Sequence, residues 1–331
     1  MLATRGAAST ASPMTTTPLS YGDTTGEYFA VRRGAAVVQG SHDLIWVEGS
    51  DATRFLDGQL SQDLGAMKPG EVARSFLLEP RGKLRAILWV LMGTDRVGLV
   101  ADRGVGPAAA ALLERFRFRV DASIGLDDRP IVALWGPESP AVLVRAGLPV
   151  PEGWAVAADG AVIASIPAGV ARFLVVGGTD LAGARTVGSI AATTVRIEAG
   201  EPVMGQDATE ATIPQETGMV PAAVSFTKGC YVGQELVARI DSRGHVNRLL
   251  RGIVLRDTIV PPVGADVVHD GEVVGALSSV GESLTLRAPI ALGTVRREVE
   301  PGTEVEIRWP GGAASAEVRE LPLDDFADDV S

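Results

Sequence analysis

The sequence predicts an α+β fold whose C-terminal part is a separate all-β barrel or sandwich. Three observations carry this expectation. Between residues 51 and 187, strand-like and helix-like patterns interleave without the regular alternation of a doubly wound sheet. From Gly252 to Val318, short Val- and Ile-rich runs are split by Gly and Pro at the close spacing of an all-β domain. The chain has 331 residues, 46% hydrophobic and 21% charged, enough apolar material for two or three packed domains.

Residues 51–64 carry Phe55, Leu56, Leu60 and Leu64 at helical spacing and predict a helix. Strands are expected over Ser75–Glu79 and Leu84–Met92, with Pro80-Arg81-Gly82 as a hairpin turn, and over residues 96–101. Pro107 suits the first turn of a helix over 107–118. A strand at Ile131–Trp135, a helix at Ser139–Arg145, strands near Ala161–Ile166 and Arg172–Val176, and a short helix at Leu181–Val187 follow. Barrel strands are expected at Ile253–Leu255, Asp266–Val268, Glu272–Leu277, Ile290–Val295 and Glu304–Ile307. Residues 1–24 read as a disordered N-terminal tail. Residues 25–250 read as two intertwined α+β subdomains, 251–320 as the barrel and 321–331 as an acidic tail.

The net charge of −11 opposes a phosphate backbone, so direct nucleic-acid binding is not expected. The single cysteine, Cys230, allows no intramolecular disulfide and suits a reducing cytosol, so a cytoplasmic protein is expected, with a monomer as the default state. The first 22 residues hold no acid and one Arg, and lack the apolar core of a secretory signal; Met14 is an alternative start. No apolar run reaches the ~20 residues of a membrane-spanning helix. His42, His245 and His269 are too scattered for a zinc site, and one thiol cannot hold an iron–sulfur cluster, so no metal is expected. Gly104-Val-Gly106-Pro-Ala-Ala109 has the form of a dinucleotide fingerprint, but Asp102 beside it would repel phosphate and no regular βαβ units follow. It reads as a turn opening an ordinary helix.

The chemistry concentrates between Val195 and Leu250. Arg196-Ile-Glu198-Ala-Gly200 comes first, then Pro214. Thr227-Lys228-Gly229-Cys230-Tyr231-Val-Gly233-Gln234-Glu235 follows, continuing to Arg239, Arg243-Gly244 and Arg248. Lys-Gly-Cys-Tyr-Val-Gly-Gln-Glu at 228–235 resembles the signature of the YgfZ-type family, a branch of the glycine-cleavage T-protein superfamily. Arg196–Gly200 and Pro214 resemble a segment shared with the aminomethyltransferase of glycine cleavage. A weaker resemblance runs over about residues 25–325, including Phe55–Leu60 and Pro80–Lys83.

This resemblance implies a three-subdomain cloverleaf with a C-terminal β-barrel around a cavity that admits tetrahydrofolate. It also implies a part in iron–sulfur cluster assembly or repair, with client or assembly proteins as partners and an indirect effect on tRNA modification. Glu198 matches the position of a pterin-binding carboxylate, which can accept two adjacent ring N–H groups. Lys228, Arg239, Arg243 and Arg248 are candidates for the anionic tail of folate; Gly229, Tyr231, Gln234 and Glu235 complete the expected folate site. Two readings stand for Cys230. A neighbouring ammonium and the N-terminus of an expected helix over Tyr231–Ile240 would favour a reactive thiolate, whereas a free cysteine often simply packs a turn. Aminomethyltransferases carry an acidic pair after a Gly-Gly turn, but Arg81–Ala86 here has no acid. Loss of a placed proton-transfer group costs about 10²–10⁴ in rate. Turnover as a folate-dependent one-carbon transferase or demethylase is therefore the alternative reading, and a pure interaction module with a vestigial cavity a third.

Overall fold

The structure, a computed structural model, describes residues 17–324 and Phe326. Expectations for residues 1–16, a start at Met14, Asp325 and residues 327–331 lie outside the described residues. Helix α1 (Thr24–Arg33) leads into β1 (Ala36–Gln39) and β2 (His42–Glu48). Helix α2 (Ala52–Asp57) is followed by β3 (Val72–Leu78), β4 (Leu84–Met92) and β5 (Arg96–Asp102). Helix α3 (Gly106–Phe116) precedes β6 (Ser123–Leu126) and β7 (Ile131–Trp135). Helix α4 (Ser139–Arg145) precedes β8 (Trp154–Val156), β9 (Val162–Ser165), β10 (Arg172–Val176) and β11 (Arg185–Thr186). Helices α5 (Ser189–Glu198), α6 (Val220–Ala223) and α7 (Gln234–Arg243) follow, with a 3-10 turn at Pro214–Thr217. The last elements are β12 (Arg248–Leu255), β13 (Asp266–His269), β14 (Glu272–Ser283), β15 (Ala288–Arg296), β16 (Glu304–Trp309) and β17 (Gly312–Arg319).

These elements form the α+β architecture with a closed barrel that the sequence predicts. A six-stranded sheet has the order β11-β1-β7-β10-β9-β8 and a five-stranded sheet the order β3-β4-β5-β2-β6. The barrel closes as β12-β15-β14-β13-β16-β17. Alternation explains the barrel: Val267, Val305 and Ile307 point inward and join Ile253, Leu277 and Val318 in its core. Each such side chain contributes about 1.5–3 kcal/mol by leaving water. The two open sheets pack against each other, with Leu44, Trp46, Leu91 and Val100 of one facing Val162, Ala164, Leu174 and Val176 of the other. Among the described residues, no helix is long and apolar enough to cross a membrane.

Several expectations are corrected. The helix predicted over 51–64 stops at Asp57; Leu60 and Leu64 are still buried, but from a loop. Leu181–Val187 holds the short strand β11, and the helix lies later, as α5. The predicted tail is ordered from Thr17. Thr17 donates to the Gln39 carbonyl at 2.6 Å, and the Pro18 and Leu19 carbonyls accept the first amides of α5. The helix expected over Tyr231–Ile240 begins at Gln234, because Gly233 at φ 84° holds a left-handed conformation that ends the preceding loop. The start of the expected acidic tail, Leu321–Asp324 with Phe326, folds back onto α1 and α5. Leu323 N–H reaches the Glu198 carbonyl at 2.8 Å, and Arg32 lies 4.2 Å over the Phe326 ring.

Candidate functional site

Helix α5 ends in Arg196, Glu198 and, just beyond it, Glu201, and each charged group reaches a different part of the fold. Arg196 donates to the Asp207 carboxylate, the Glu201 carbonyl and Ser279 Oγ, all at 2.6 Å, and so ties α5 to the barrel strand β14. Glu198 is fully buried. Its Oε1 accepts Tyr28 Oη at 2.6 Å and Ser283 Oγ at 2.5 Å, and its Oε2 accepts Arg32 at 3.0 Å. Burial raises the Glu198 carboxyl against these donors, while burial and the Glu198 charge push Tyr28 up to about 12. Glu201 accepts Arg172 from β10 at 2.8 Å and Arg74 from β3, joining the two open sheets. Burial opposes its ionisation, but the two guanidiniums outweigh that cost and hold it at about 2.

Beside this knot lies a cavity of about 230 Å³ where the two sheets meet α5. Its walls are Gln39, Trp135 and Arg172 from the six-stranded sheet, His42 and Asp102 from the five-stranded sheet, and Ser189, Thr193 and Arg196 from α5. Glu201, Val203 and Gln206 complete it, with Thr17 at one side. The charged groups of the lining, Asp102, Arg172, Arg196 and Glu201, fit a polar occupant. The volume is below the ~300–1,000 Å³ of drug-sized pockets. It suits a ring system, with any longer extension outside.

His42 and Asp102 stand opposite each other across the β2–β5 ladder. Burial and then the Arg172 charge push His42 down to about 3, so the imidazole is neutral. Burial, with the nearby Glu201 charge, raises Asp102 to about 6.

The residues expected to form a folate site are not gathered here. Glu198 does not line the cavity, because its oxygens are engaged by Tyr28, Ser283 and Arg32. Lys228 is not available to an anionic tail either. Its side chain is 1% exposed, and Nζ donates to the Asp57, Leu60 and Gln62 carbonyls and to Asp57 Oδ1 within 3.1 Å. Tyr231 is buried in a core with Phe76, Leu78 and Leu84. Gln234 Oε1 accepts the Tyr231 amide at 3.4 Å, closing the turn before α7.

Gly229, Cys230, Glu235, Arg239 and Arg248 are exposed. Cys230 sits four residues before α7 begins, too early to share its N-terminus. Arg243 ends α7, and its side chain lies outside the described residues. Arg248 lines a neighbouring groove of about 510 Å³ that shares Gln206 with the cavity. Gly104 and Gly106 both give their amides to the Asp43 carboxylate at 2.7 and 2.9 Å, so the fingerprint-like loop holds an internal anion in place of a phosphate. Sequence reasoning missed His42, Asp102, Trp135, Arg172 and Glu201. The available signal was a charged residue at the end of an otherwise apolar strand, in Asp102 and Arg172.

The closed barrel and the arrangement of the two sheets define an aminomethyltransferase-like protein. Residues 248–325 match the glycine cleavage T-protein C-terminal barrel domain. The crystal structure of glycine cleavage system aminomethyltransferase T from Bartonella henselae superposes with a TM-score of 0.87 at 26% identity, covering 94% of this chain and 92% of that one. An aminomethyltransferase of Streptomyces coelicolor is 28% identical over 92% of this chain and 91% of its own length. One of Thermus thermophilus is 29% identical over 92% of each. An uncharacterized protein of Haemophilus influenzae is 26% identical over 63% of this chain and 69% of its own. The chain thus carries the glycine-cleavage T-protein barrel domain over residues 248–325 and shares the fold of an aminomethyltransferase over 94% of its length.

Proposed function

We propose that this protein binds tetrahydrofolate as a YgfZ-type accessory factor for iron–sulfur cluster assembly or repair in the cytoplasm. The observation that carries the folate part is the cavity beside Glu201, lined by Asp102, whose Oδ1 has no hydrogen-bond partner among the described residues. A reduced pterin ring carries both N–H donors and a carbonyl acceptor, so it complements such a wall. The adjoining groove, with Arg248 on its rim, would take the anionic glutamate tail. The iron–sulfur part is supported by the 228–235 octapeptide and by the exposure of Cys230, which leaves the thiol open to a protein partner.

The hairpin before β4 supports an accessory role over robust one-carbon transfer. Lys83 at its end and Arg85 at the start of β4 stand where an aminomethyltransferase has acids, and Arg85 is paired with Glu79 and Glu210.

Equilibrium dialysis with tetrahydrofolate tests the first part: saturable one-to-one binding is expected, and its absence would favour the interaction-module reading. Iron–sulfur enzyme activities in a deletion strain test the second. The wild-type chain should restore them and Cys230→Ala should not; full rescue by Cys230→Ala removes the thiol from the mechanism.

A further inference from the structure

Two acids line the cavity, and they differ in what they hold. Glu201 is neutralised by Arg74 and Arg172. Asp102, among the described residues, makes no ion pair; its Oδ2 accepts the Met204 amide at 2.9 Å and its Oδ1 accepts nothing. The charged groups facing it are Arg74 from β3, Arg196 from α5 and Glu201, with Arg172 of β10 in the same cavity wall. The guanidiniums are all engaged elsewhere: Arg74 with Glu201, Arg172 with Glu201 and the Ile166 carbonyl, Arg196 with Asp207 and Ser279. His42, the cross-strand neighbour, is neutral and shares its Nδ1 with Ser41 Oγ at 2.7 Å. An occupant therefore meets one carboxyl whose proton is not already decided by a fixed cation.

We propose that Asp102 is the proton-exchanging contact of this cavity, binding a ring N–H of a cyclic aminopyrimidinone and giving up its own proton to solvent as the ring enters. This rests on the folate reading for the identity of the natural ligand. The step balances: the carboxylic O–H breaks, the proton goes to water, and the carboxylate formed accepts the ligand N–H without any change of oxidation state. Because burial raises the Asp102 carboxyl to about 6, the neutral form is populated at mildly acidic pH. The ionised form accepts the N–H more strongly than the neutral acid, so affinity at pH 5 should fall below that at pH 8, by up to about tenfold.

The test begins without ligand. In protein labelled with ¹³C at aspartate carboxyls, one resonance should titrate near pH 6 and be missing in Asp102→Asn. Adding 2-aminopyrimidin-4-one, the isolated ring, should move that midpoint downward in the wild type. Calorimetry with tetrahydrofolate at pH 6, in buffers of different ionisation heat, should then record proton release, absent at pH 8 and absent in Asp102→Asn. The proposal is overturned if no carboxyl titrates near 6, if the ring leaves the midpoint unmoved, or if Asp102→Asn releases the same proton. If tetrahydrofolate gives no heat while the ring still lowers the midpoint, the folate reading fails and the role of Asp102 stands.

Discussion

The segments 196–201 and 228–235 look alike in the sequence, each a short charged motif with glycine, yet the fold uses them in opposite ways. In the first, Arg196, Glu198 and Glu201 are all turned inward, and their partners come from α1, both open sheets and the barrel. In the second, only Lys228 and Tyr231 are turned inward, while Gly229, Cys230 and Glu235 face solvent. The difference teaches that a charged motif announces a junction as readily as a ligand. A buried charge is tolerated only when paired, so three of them within six residues mark the place where lobes are joined. The free surface belongs to the second segment. Glycines lock that segment to the rest: a Cβ on Gly82 would lie 2.6 Å from Leu236, and one on Gly233 2.7 Å from the Glu79 carbonyl. The β3–β4 hairpin and the 228–235 loop are therefore one unit, which presents Cys230 from a fixed base.

The contrast can be broken most severely at Glu201. Glu201→Ala leaves Arg74 and Arg172 buried beside each other and should cost about 3–5 kcal/mol in urea unfolding. A loss under about 1 kcal/mol would mean that the segment is not a junction. Lys228→Met should cost about 2–3 kcal/mol, since three carbonyls and Asp57 lose their shared donor. That would show that even the exposed loop has one buried anchor. Asp102 adds a pH signature. Its folded carboxyl is raised to about 6 from an ordinary 3.8, so its contribution to stability is complete below pH 3.8 and is lost as pH rises through 6. Asp102→Asn should thus stabilise the protein by about 1–3 kcal/mol at pH 8 and leave it unchanged at pH 3.5, as read by thermal or urea unfolding. At the small end, Cys230→Ser should change stability by under about 0.5 kcal/mol, because the thiol is exposed. A larger loss would make the cysteine a packing residue after all.

The barrel was legible because period-two alternation bounded by glycine and proline leaves little choice: strands β13, β15 and β16 lie within a few residues of their predicted runs. Helix α1 was not, although Asp23 caps it through the Gly26 amide, because a Ser- and Thr-rich run ahead of it reads as tail. The over-long helix from 51 shows the limit of periodicity. Leu60 and Leu64 do point into the core, but a loop delivers them there. Glu198 was singled out, and its partner is Arg32, 166 residues away, which no local pattern predicts. The cavity was illegible for the same reason: His42, Asp102, Trp135, Arg172 and Glu201 are brought together only when two sheets and α5 meet.

Thr193 lines the cavity from α5 and is only partly buried, so a larger side chain there can fill the space without entering the core. Equilibrium dialysis of tetrahydrofolate against Thr193→Trp, with melting temperatures measured alongside, tests the location of the site directly. The cavity beside Glu201 predicts that binding is lost while the melting temperature stays within a few degrees of wild type. Undiminished binding by a folded Thr193→Trp would contradict it.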